Sequence, residues 1–91
     1  MYFEWDVEKA EENFVKHGID FEDAIEIFDG PTLDDEDDRF SYRETRMRAT
    51  GALGPRLLTV IYTMRGDVCR VISARKATRN EQKAYRKSQS G

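Results

Sequence analysis

The stretch LLTVIYTMRGDVCRVISARKATRNE, residues 57–81, decides the fold. Its first six residues, 57–62, are nearly all apolar, as expected of a central β-strand. Arg65-Gly66-Asp67 is typical of a hairpin turn, after which residues 68–74 return as the next strand. Thr78-Arg79-Asn80-Glu81 has the spacing of a capping box, in which the first and last side chains satisfy free amides at a helix start. The stretch therefore predicts a β-hairpin followed directly by a C-terminal helix.

Upstream of the hairpin, side chains alternate over residues 43–50, which predicts a half-exposed strand. Thr45, Met47 and Ala49 point one way, and Glu44, Arg46 and Arg48 point the other. A turn over Gly51 to Pro55 joins this strand to the central one. The acidic run Asp34-Asp35-Glu36-Asp37-Asp38 is interpreted as a solvated polar loop.

The first thirty residues predict a short strand and two helices. Residues 2–5 form the strand, and Asp6 is placed to cap the first helix. His17-Gly18 closes that helix, because glycine readily adopts the left-handed conformation found after helix ends. Asp20 begins the second helix and Gly30-Pro31 ends it. The second helix carries an apolar stripe of Phe21, Ala24, Ile25 and Phe28.

The element order β-α-α-β-β-β-α predicts an α+β fold. We expect an antiparallel sheet with the two N-terminal helices on one face, together with a C-terminal helix. A chain of 91 residues is the size of one domain, which we expect to span residues 1–91.

The location of the protein is predicted from three features. The chain has no apolar run of about 18 residues, so we expect no membrane span. Its first residues lack the basic and apolar regions of a signal peptide. Cys69 is the sole cysteine, so no internal disulfide can form, and its apolar neighbours indicate a core position. A reducing cytoplasm is the expected compartment.

Charge is distributed unevenly along the chain. Residues 1–38 contain 15 Asp and Glu against Lys9 and Lys16, a net charge of −13. Residues 39–91 contain 13 Lys and Arg against three acids, a net charge of +10. Such asymmetry points to a polyanionic partner for the basic half. Alternatively, the two halves neutralise each other within one fold.

The sequence contains no metal-site signature, P-loop, Ser-His-Asp set or dinucleotide fingerprint, so we expect no metal and no cofactor. The acidic run at residues 34–38 would bind Mg²⁺ only if its carboxylates converged on one point. What remains is a cationic set, consisting of Arg46, Arg48, Arg65, Arg75, Lys76, Arg79 and Lys83. Guanidinium groups bind phosphate bidentately and can stabilise the charge that develops during metal-free RNA cleavage.

The chain resembles the BrnT toxin family over nearly its whole length. The N-terminal part of the match is Phe3-Glu4-Trp5-Asp6, Lys9-Ala10, Asn13 and Lys16-His17-Gly18-Ile19-Asp20-Phe21. The middle part is Asp38-Arg39, Tyr42, Glu44, Arg46 and Gly51. The last part is Arg56-Leu57-Leu58, Val60-Ile61-Tyr62-Thr63, Arg65, Arg70-Val71-Ile72-Ser73-Ala74-Arg75-Lys76-Ala77, Glu81 and Tyr85. Arg43 departs from the glycine expected before Glu44, and its longer side chain would alter access to Glu44 if the strand pairs tightly there.

The resemblance implies a RelE-like fold and a ribonuclease that arrests translation. It also implies a BrnA-type antitoxin, whose ribbon-helix-helix segment binds the shared operator. The expected partners are therefore an RNA substrate, this antitoxin and, through the antitoxin, operator DNA, with no membrane.

The leading hypothesis is a metal-independent endoribonuclease. Arg46, Arg65 and Arg75 would hold the phosphate, and His17 or Glu44 would transfer protons. Lys76, Arg79 and Lys83 would follow the RNA backbone. Two of these residues have a simpler interpretation. His17 could merely cap a helix end, and Arg75 could pair with Glu81 to hold the last helix.

The second hypothesis is a non-catalytic binding module. In that case the basic face would bind only an antitoxin or operator DNA, since an acidic antitoxin tail would satisfy the same charges. Both hypotheses require a cationic groove, and incubation of the protein with RNA would separate them.

Overall fold

The structure is a computed structural model that describes residues 1–38 and 43–90. It shows an α+β fold. The strands are β1 (Tyr2–Glu4), β2 (Thr32–Glu36), β3 (Met47–Leu53), β4 (Arg56–Arg65) and β5 (Val68–Lys76). The helices are α1 (Val7–His17), α2 (Phe21–Ala24), a 3₁₀ segment (Ile25–Asp29) and α3 (Arg79–Gln89). The predicted fold class is confirmed, with one more strand than expected. Arg39 and Tyr42, which carry part of the family resemblance, lie outside the described residues.

The five strands form one sheet in the order β1-β5-β4-β3-β2. The pairs β2–β3, β3–β4 and β4–β5 are antiparallel, as predicted. The prediction of a wholly antiparallel sheet is wrong for β1, which pairs in parallel with β5 from Tyr2↔Val68 to Glu4↔Arg70. Parallel pairing requires a long crossover connection, and here the whole chain between β1 and β5 provides it.

The acidic run at residues 34–38 was predicted to be a loop, and this prediction is wrong for its first three residues. Asp34, Asp35 and Glu36 belong to β2, which pairs with β3 from Thr32↔Gly51 to Glu36↔Met47. An edge strand can carry carboxylates, since its side chains remain solvated, and charges there also discourage pairing with another chain. The run therefore combines a polar composition with a paired backbone.

The limits of β3 also differ from the prediction. The strand begins at Met47 rather than at residue 43, and it continues through Gly51 to Leu53. The predicted turn is thus confined to Gly54 and Pro55, with Gly54 at φ 59°. Gly51 is paired on both sides and packs closely, because a Cβ there would lie 2.9 Å from the Ile27 Cβ.

The predicted helix limits are largely confirmed. The Asp6 side chain accepts a hydrogen bond from the Glu8 amide at 2.8 Å. Gly18 adopts φ 70°, and its amide donates to the Phe14 carbonyl at 2.7 Å. The second helix begins after Asp20 as predicted, but α2 tightens into the 3₁₀ segment after one turn. Such tightening is common at helix C-termini.

The apolar core lies between the sheet and the layer formed by α1, α2 and the 3₁₀ segment. Along β4, Leu58, Val60 and Tyr62 point into this core, as do Ile27 and the predicted core residue Cys69. Successive side chains of a strand point to opposite faces, so the odd-numbered side chains of β4, from Leu57 to Arg65, point away from the core. Helix α3 covers part of that second face, because the Glu81 side chain accepts a hydrogen bond from Thr59.

Strand β5 contains a bulge that a buried asparagine supports. Ile61 pairs with Ser73, whereas Tyr62 pairs with Val71, which leaves one extra residue on β5. Beyond the bulge, the Asn13 side chain accepts from the Ala74 amide at 3.0 Å and donates to the Ala74 carbonyl at 2.9 Å. The Asn13 amide thus supplies the two hydrogen bonds that a neighbouring strand would make, and it fixes the backbone directly before Arg75.

Across the part of the chain that the structure describes, no helix is both long and apolar enough to cross a membrane.

Candidate functional site

In the part of the chain that the structure describes, four arginines of the strands share the sheet face that points away from the core. Cross-strand partners place their side chains on the same face, and Arg48 pairs with Ile61, Arg70 with Thr63, and Arg75 with Thr59. Strand alternation along β4 adds Arg65 to this set. We call this surface the arginine face and define it by Arg48, Arg65, Arg70 and Arg75.

Each arginine of this face contacts a carboxylate. The four pairs are Arg48–Asp35 at 2.6 Å, Arg65–Glu44 at 3.6 Å, Arg70–Glu4 at 2.9 Å and Arg75–Glu81 at 2.7 Å. Two of the carboxylates, Glu4 and Asp35, come from the acidic half of the chain. The two halves therefore do neutralise each other in part, as one of the two interpretations of the charge asymmetry predicts.

A groove of about 560 Å³ opens on the arginine face, between the start of α3 and strands β2 and β3. The Arg48–Asp35 pair and the Arg75–Glu81 pair both line it. The complete lining consists of Leu33, Asp34, Asp35, Arg48, Thr50, Arg75, Thr78, Asn80, Glu81 and Ala84. The groove thus presents hydrogen-bond donors and acceptors beside small apolar surfaces.

The guanidinium of Arg75 is held rigidly at this groove. Its Nη1 and Nη2 donate to the two carboxylate oxygens of Glu81 at 2.7 and 3.0 Å, and Nη1 also donates to the Lys76 carbonyl at 3.5 Å. A guanidinium has five N–H groups, so these contacts leave donors for a ligand. The alternative interpretation, that Arg75 pairs with Glu81, is therefore confirmed. Pairing alone does not exclude a phosphate contact.

Glu81 joins three elements through its carboxylate. Besides Arg75, it accepts from the Thr59 hydroxyl at 3.0 Å and from the Thr78 amide at 2.8 Å. The Thr78 hydroxyl accepts in return from the Glu81 amide at 3.2 Å, which confirms the predicted capping box. Burial raises the pKa of the Glu81 carboxyl, but the hydrogen bonds from Arg75, Thr78 and Thr59 and the Arg75 charge outweigh it and lower the pKa to about 2.

The depressed pKa of Glu81 predicts a loss of stability in acid. The ionised carboxyl stabilises the folded state above its ordinary pKa of 4.5, and this contribution is lost as the pH falls toward 2. We expect the free energy of unfolding to fall more steeply across this window in the wild type than in Glu81→Gln, which keeps the size and capping ability of the side chain. Urea unfolding at a series of pH values measures both slopes. Equal slopes would contradict the pairing of Glu81 in solution.

Glu44 and Arg65, two of the predicted site residues, lie at the other end of the sheet. Arg65 follows Thr59, the register partner of Arg75, by six residues along β4, which corresponds to about 20 Å at 3.3 Å per residue. The Arg65 and Glu44 side chains are 53% and 38% exposed. The structure thus brings Glu44 and Arg65 together but places them apart from Arg75.

Arg46 and His17 lie outside the groove. Arg46 precedes β3 and is half-buried, and its carbonyl accepts from the Asp37 amide at 2.7 Å. His17 occupies the last turn of α1, is exposed, and lines a hollow of about 250 Å³ with Lys16 and Ser73 among others. Because α1 lies in the helix layer, His17 is not grouped with the predicted arginines.

The three residues predicted to follow RNA are all exposed. Lys76 ends β5, and Arg79 and Lys83 lie on α3. Asn80 and Ala84, their neighbours on α3, line the groove. The cationic helix surface therefore borders the groove and is open to solvent.

Sequence reasoning placed Arg48 in the cationic set without a role, and it missed the threonines that help to build this face. Arg48 and Thr50 lie two residues apart on β3 and so point to the same face, and Thr59 is a polar residue in an otherwise apolar strand. These two patterns could have identified the residues from the sequence. The hydroxyls of Thr50 and Thr59 lie 3.1 Å apart and are buried.

The Tyr62 hydroxyl donates a hydrogen bond to Asp34, and burial together with this bond raises the pKa of Tyr62. Nothing in the sequence indicates that contact, because it depends on the pairing of β2.

Among residues 1–38 and 43–90, no three His, Cys, Asp or Glu side chains are arranged to hold a metal ion. No curated protein compared with the chain matches it. A family model described as "Ribonuclease toxin, BrnT, of type II toxin-antitoxin system" matches residues 5–81, which include all four arginines of the arginine face and every residue lining the groove except Ala84. The chain belongs to the BrnT family of type II ribonuclease toxins.

Proposed function

We propose that the protein is a metal-independent endoribonuclease that arrests translation in the cytoplasm. The observation that carries this proposal is the rigid guanidinium of Arg75 at a groove bordered by the exposed cations of α3. RNA offers a phosphate for the guanidinium and further phosphates for Lys76, Arg79 and Lys83. The RelE-like fold implied by the family resemblance is part of the same proposal.

In the proposed reaction the 2′-hydroxyl of RNA loses its proton and attacks the adjacent phosphate, and charge builds on the phosphate oxygens. The bond from phosphorus to the 5′-oxygen of the next nucleotide then breaks, and that leaving oxygen is protonated. Arg75 stabilises the charge on the phosphate oxygens, because a donor fixed before the reaction costs no reorganisation. Arg65 contacts another phosphate, since it lies about 20 Å from Arg75 along the sheet. Arg46 contacts another phosphate as well, since it does not line the groove. Glu81 positions Arg75 and stays ionised at neutral pH.

Proton transfer is assigned to Glu44 or His17. Neither side chain lines the groove. The geometry favours Glu44, because it lies beside Arg65 at 3.6 Å, whereas His17 ends α1 in the helix layer. Glu44 takes a proton only from a hydroxyl beside a phosphate that Arg65 holds. Because Arg65 lies about 20 Å from Arg75 along the sheet, Glu44 does not act at the phosphate that Arg75 holds, where Arg75 contributes charge stabilisation.

Cleavage of RNA in the presence of EDTA tests the proposed function. We expect the purified protein to degrade total RNA at the same rate with and without the chelator, since fixed guanidinium groups supply the charge stabilisation. Gel electrophoresis of the products measures the rate, with Arg75→Ala as a control for contaminating nucleases. Loss of cleavage on chelation and its recovery with Mg²⁺ would overturn the metal-free mechanism. No cleavage under any condition would favour the non-catalytic binding module.

Neutralising α3 is expected to weaken RNA binding and to reduce its salt dependence. For single strands, each phosphate contact contributes about 0.7 to the slope of log K against log salt. Arg79→Gln combined with Lys83→Gln should therefore lower the slope by about 1.4. Fluorescence anisotropy with labelled RNA measures it, and Lys9→Gln combined with Lys16→Gln on α1 is the matched control. An unchanged slope would show that α3 does not contact RNA.

The antitoxin partner completes the proposal. Membership of a type II toxin family implies an antitoxin, and we propose a BrnA-like protein with a ribbon-helix-helix segment. Operator DNA would then be contacted through the antitoxin.

A further inference from the structure

Helix α1 carries an apolar patch that is open to solvent. Val15 is 87% exposed, Val7 is 66% exposed and Phe14 is 50% exposed. These three side chains and Ala10 line one shallow hollow of about 340 Å³, so they form a continuous surface. We call this surface the α1 patch. Clusters of exposed apolar side chains mark interaction sites more often than isolated ones do.

Carboxylates surround the α1 patch. Glu11 and Asp20 line the same hollow as the apolar side chains. Glu8 and Glu12 line an adjoining hollow, which Val15 shares. In the described parts of the chain no lysine or arginine lines either hollow, whereas Lys9 and Lys16 line a third hollow beside β5. The patch is therefore apolar at its centre and acidic at its rim.

The apolar centre and the acidic rim of the α1 patch together determine which kind of partner can bind there. The acidic rim repels the phosphates of RNA and of anionic lipid. A second copy could offer the exposed cations of its α3, but Ala84 is the sole apolar residue among that helix's exposed side chains within 79–90, so nothing large would fill the hollow. A basic amphipathic segment of another protein supplies both the apolar side chains and the opposite charge.

We propose that the α1 patch binds a basic amphipathic segment of the antitoxin. The proposal rests on the proposed function, because it takes the antitoxin as the partner. It places this contact in the helix layer, on the opposite side of the sheet from the groove. The acidic half of the chain thereby has a role in assembly, separate from the role of the arginine face.

A double variant tests the proposal by adding charge to the patch. Val15→Lys combined with Glu11→Lys repels a basic segment and removes its apolar contact. The control, Tyr2→Lys combined with Asp67→Lys, makes the same change in net charge at two exposed positions outside the patch. The probe is the purified cognate antitoxin, titrated into each toxin variant by calorimetry at two salt concentrations.

We expect the patch variant to bind the antitoxin about tenfold or more weakly, with a reduced salt dependence, while the control binds as the wild type does. Thermal melts and RNA cleavage by the free variant should be unchanged. Wild-type affinity in the patch variant would overturn the proposal. Light scattering would overturn it too, if it showed a wild-type dimer that the patch variant dissolves, because a second copy would then be the occupant. If the wild type cleaves no RNA but the patch variant still loses affinity, the proposed function fails and this inference stands.

Discussion

Replacing Arg75 with alanine is expected to slow RNA cleavage by about 10²–10³-fold, the usual cost of losing one transition-state donor. It should also abolish growth arrest on expression. The reason is that the Arg75 guanidinium is fixed by two hydrogen bonds to Glu81 and keeps further donors for a ligand. A kinetic assay with a defined RNA separates this from a binding effect, since a transition-state contact lowers kcat whereas a ground-state contact raises KM.

The same substitution leaves the Glu81 carboxylate without its guanidinium, so stability must be measured in parallel. The two side chains of this pair are only 21% and 17% exposed, and an unpaired charge at such a site destabilises more than a fully solvated one would. Combining Arg75→Ala with Glu81→Gln removes both charges. We expect the double variant to recover much of the melting temperature but none of the cleavage.

Two results would contradict a catalytic role for Arg75. A single variant that melts normally and remains fully toxic would show that the guanidinium does not act on RNA. A single variant that melts early, with both stability and cleavage restored by Glu81→Gln, would show that Arg75 serves the structure alone. Arg65 serves as the comparison for Arg75, because it carries the same guanidinium group in an exposed and weakly held ion pair with Glu44.

How far the sequence predicted the molecule depends on the range of each interaction. Local signals were sufficient for the Asp6 cap, the Gly18 turn and the Thr78–Glu81 capping box, since each involves neighbouring residues. The pairing of Arg75 with Glu81 was anticipated for the same reason. By contrast, the acidic residues of β2 have no apolar alternation, and only pairing with β3 makes them a strand.

The candidate site was harder to predict because it depends on sheet register. Arg48 meets Asp35 since the two residues are register partners on β3 and β2, and composition alone does not indicate this. Register likewise separates Arg65 from Arg75, although both were expected at the same phosphate. Residue type thus predicted the chemistry of the arginine face, while long-range pairing determined which groups are close together.

Asn13→Ala is expected to lower the free energy of unfolding by about 2–5 kcal/mol, because each buried polar group left without a partner costs about 1–3 kcal/mol. The Asn13 side chain is 6% exposed and serves the amide and carbonyl of Ala74, a fully buried residue, as well as the Ile19 carbonyl. Beyond Arg70, β5 does not pair with β1. In Asn13→Ala, therefore, β1 does not replace the hydrogen bonds that are lost at Ala74. In a domain of this size the melting temperature should fall by roughly 10 °C or more.

Glu12→Ala is the matched control for Asn13→Ala, since it truncates an exposed neighbour on the same helix and should change stability by less than about 0.5 kcal/mol. Urea unfolding monitored by circular dichroism measures both variants. Because Ala74 directly precedes Arg75, we also expect Asn13→Ala to reduce cleavage at temperatures where it remains folded. An Asn13→Ala variant as stable as Glu12→Ala would show that the Ala74 backbone finds other partners, and that α1 does not hold the end of β5 in place.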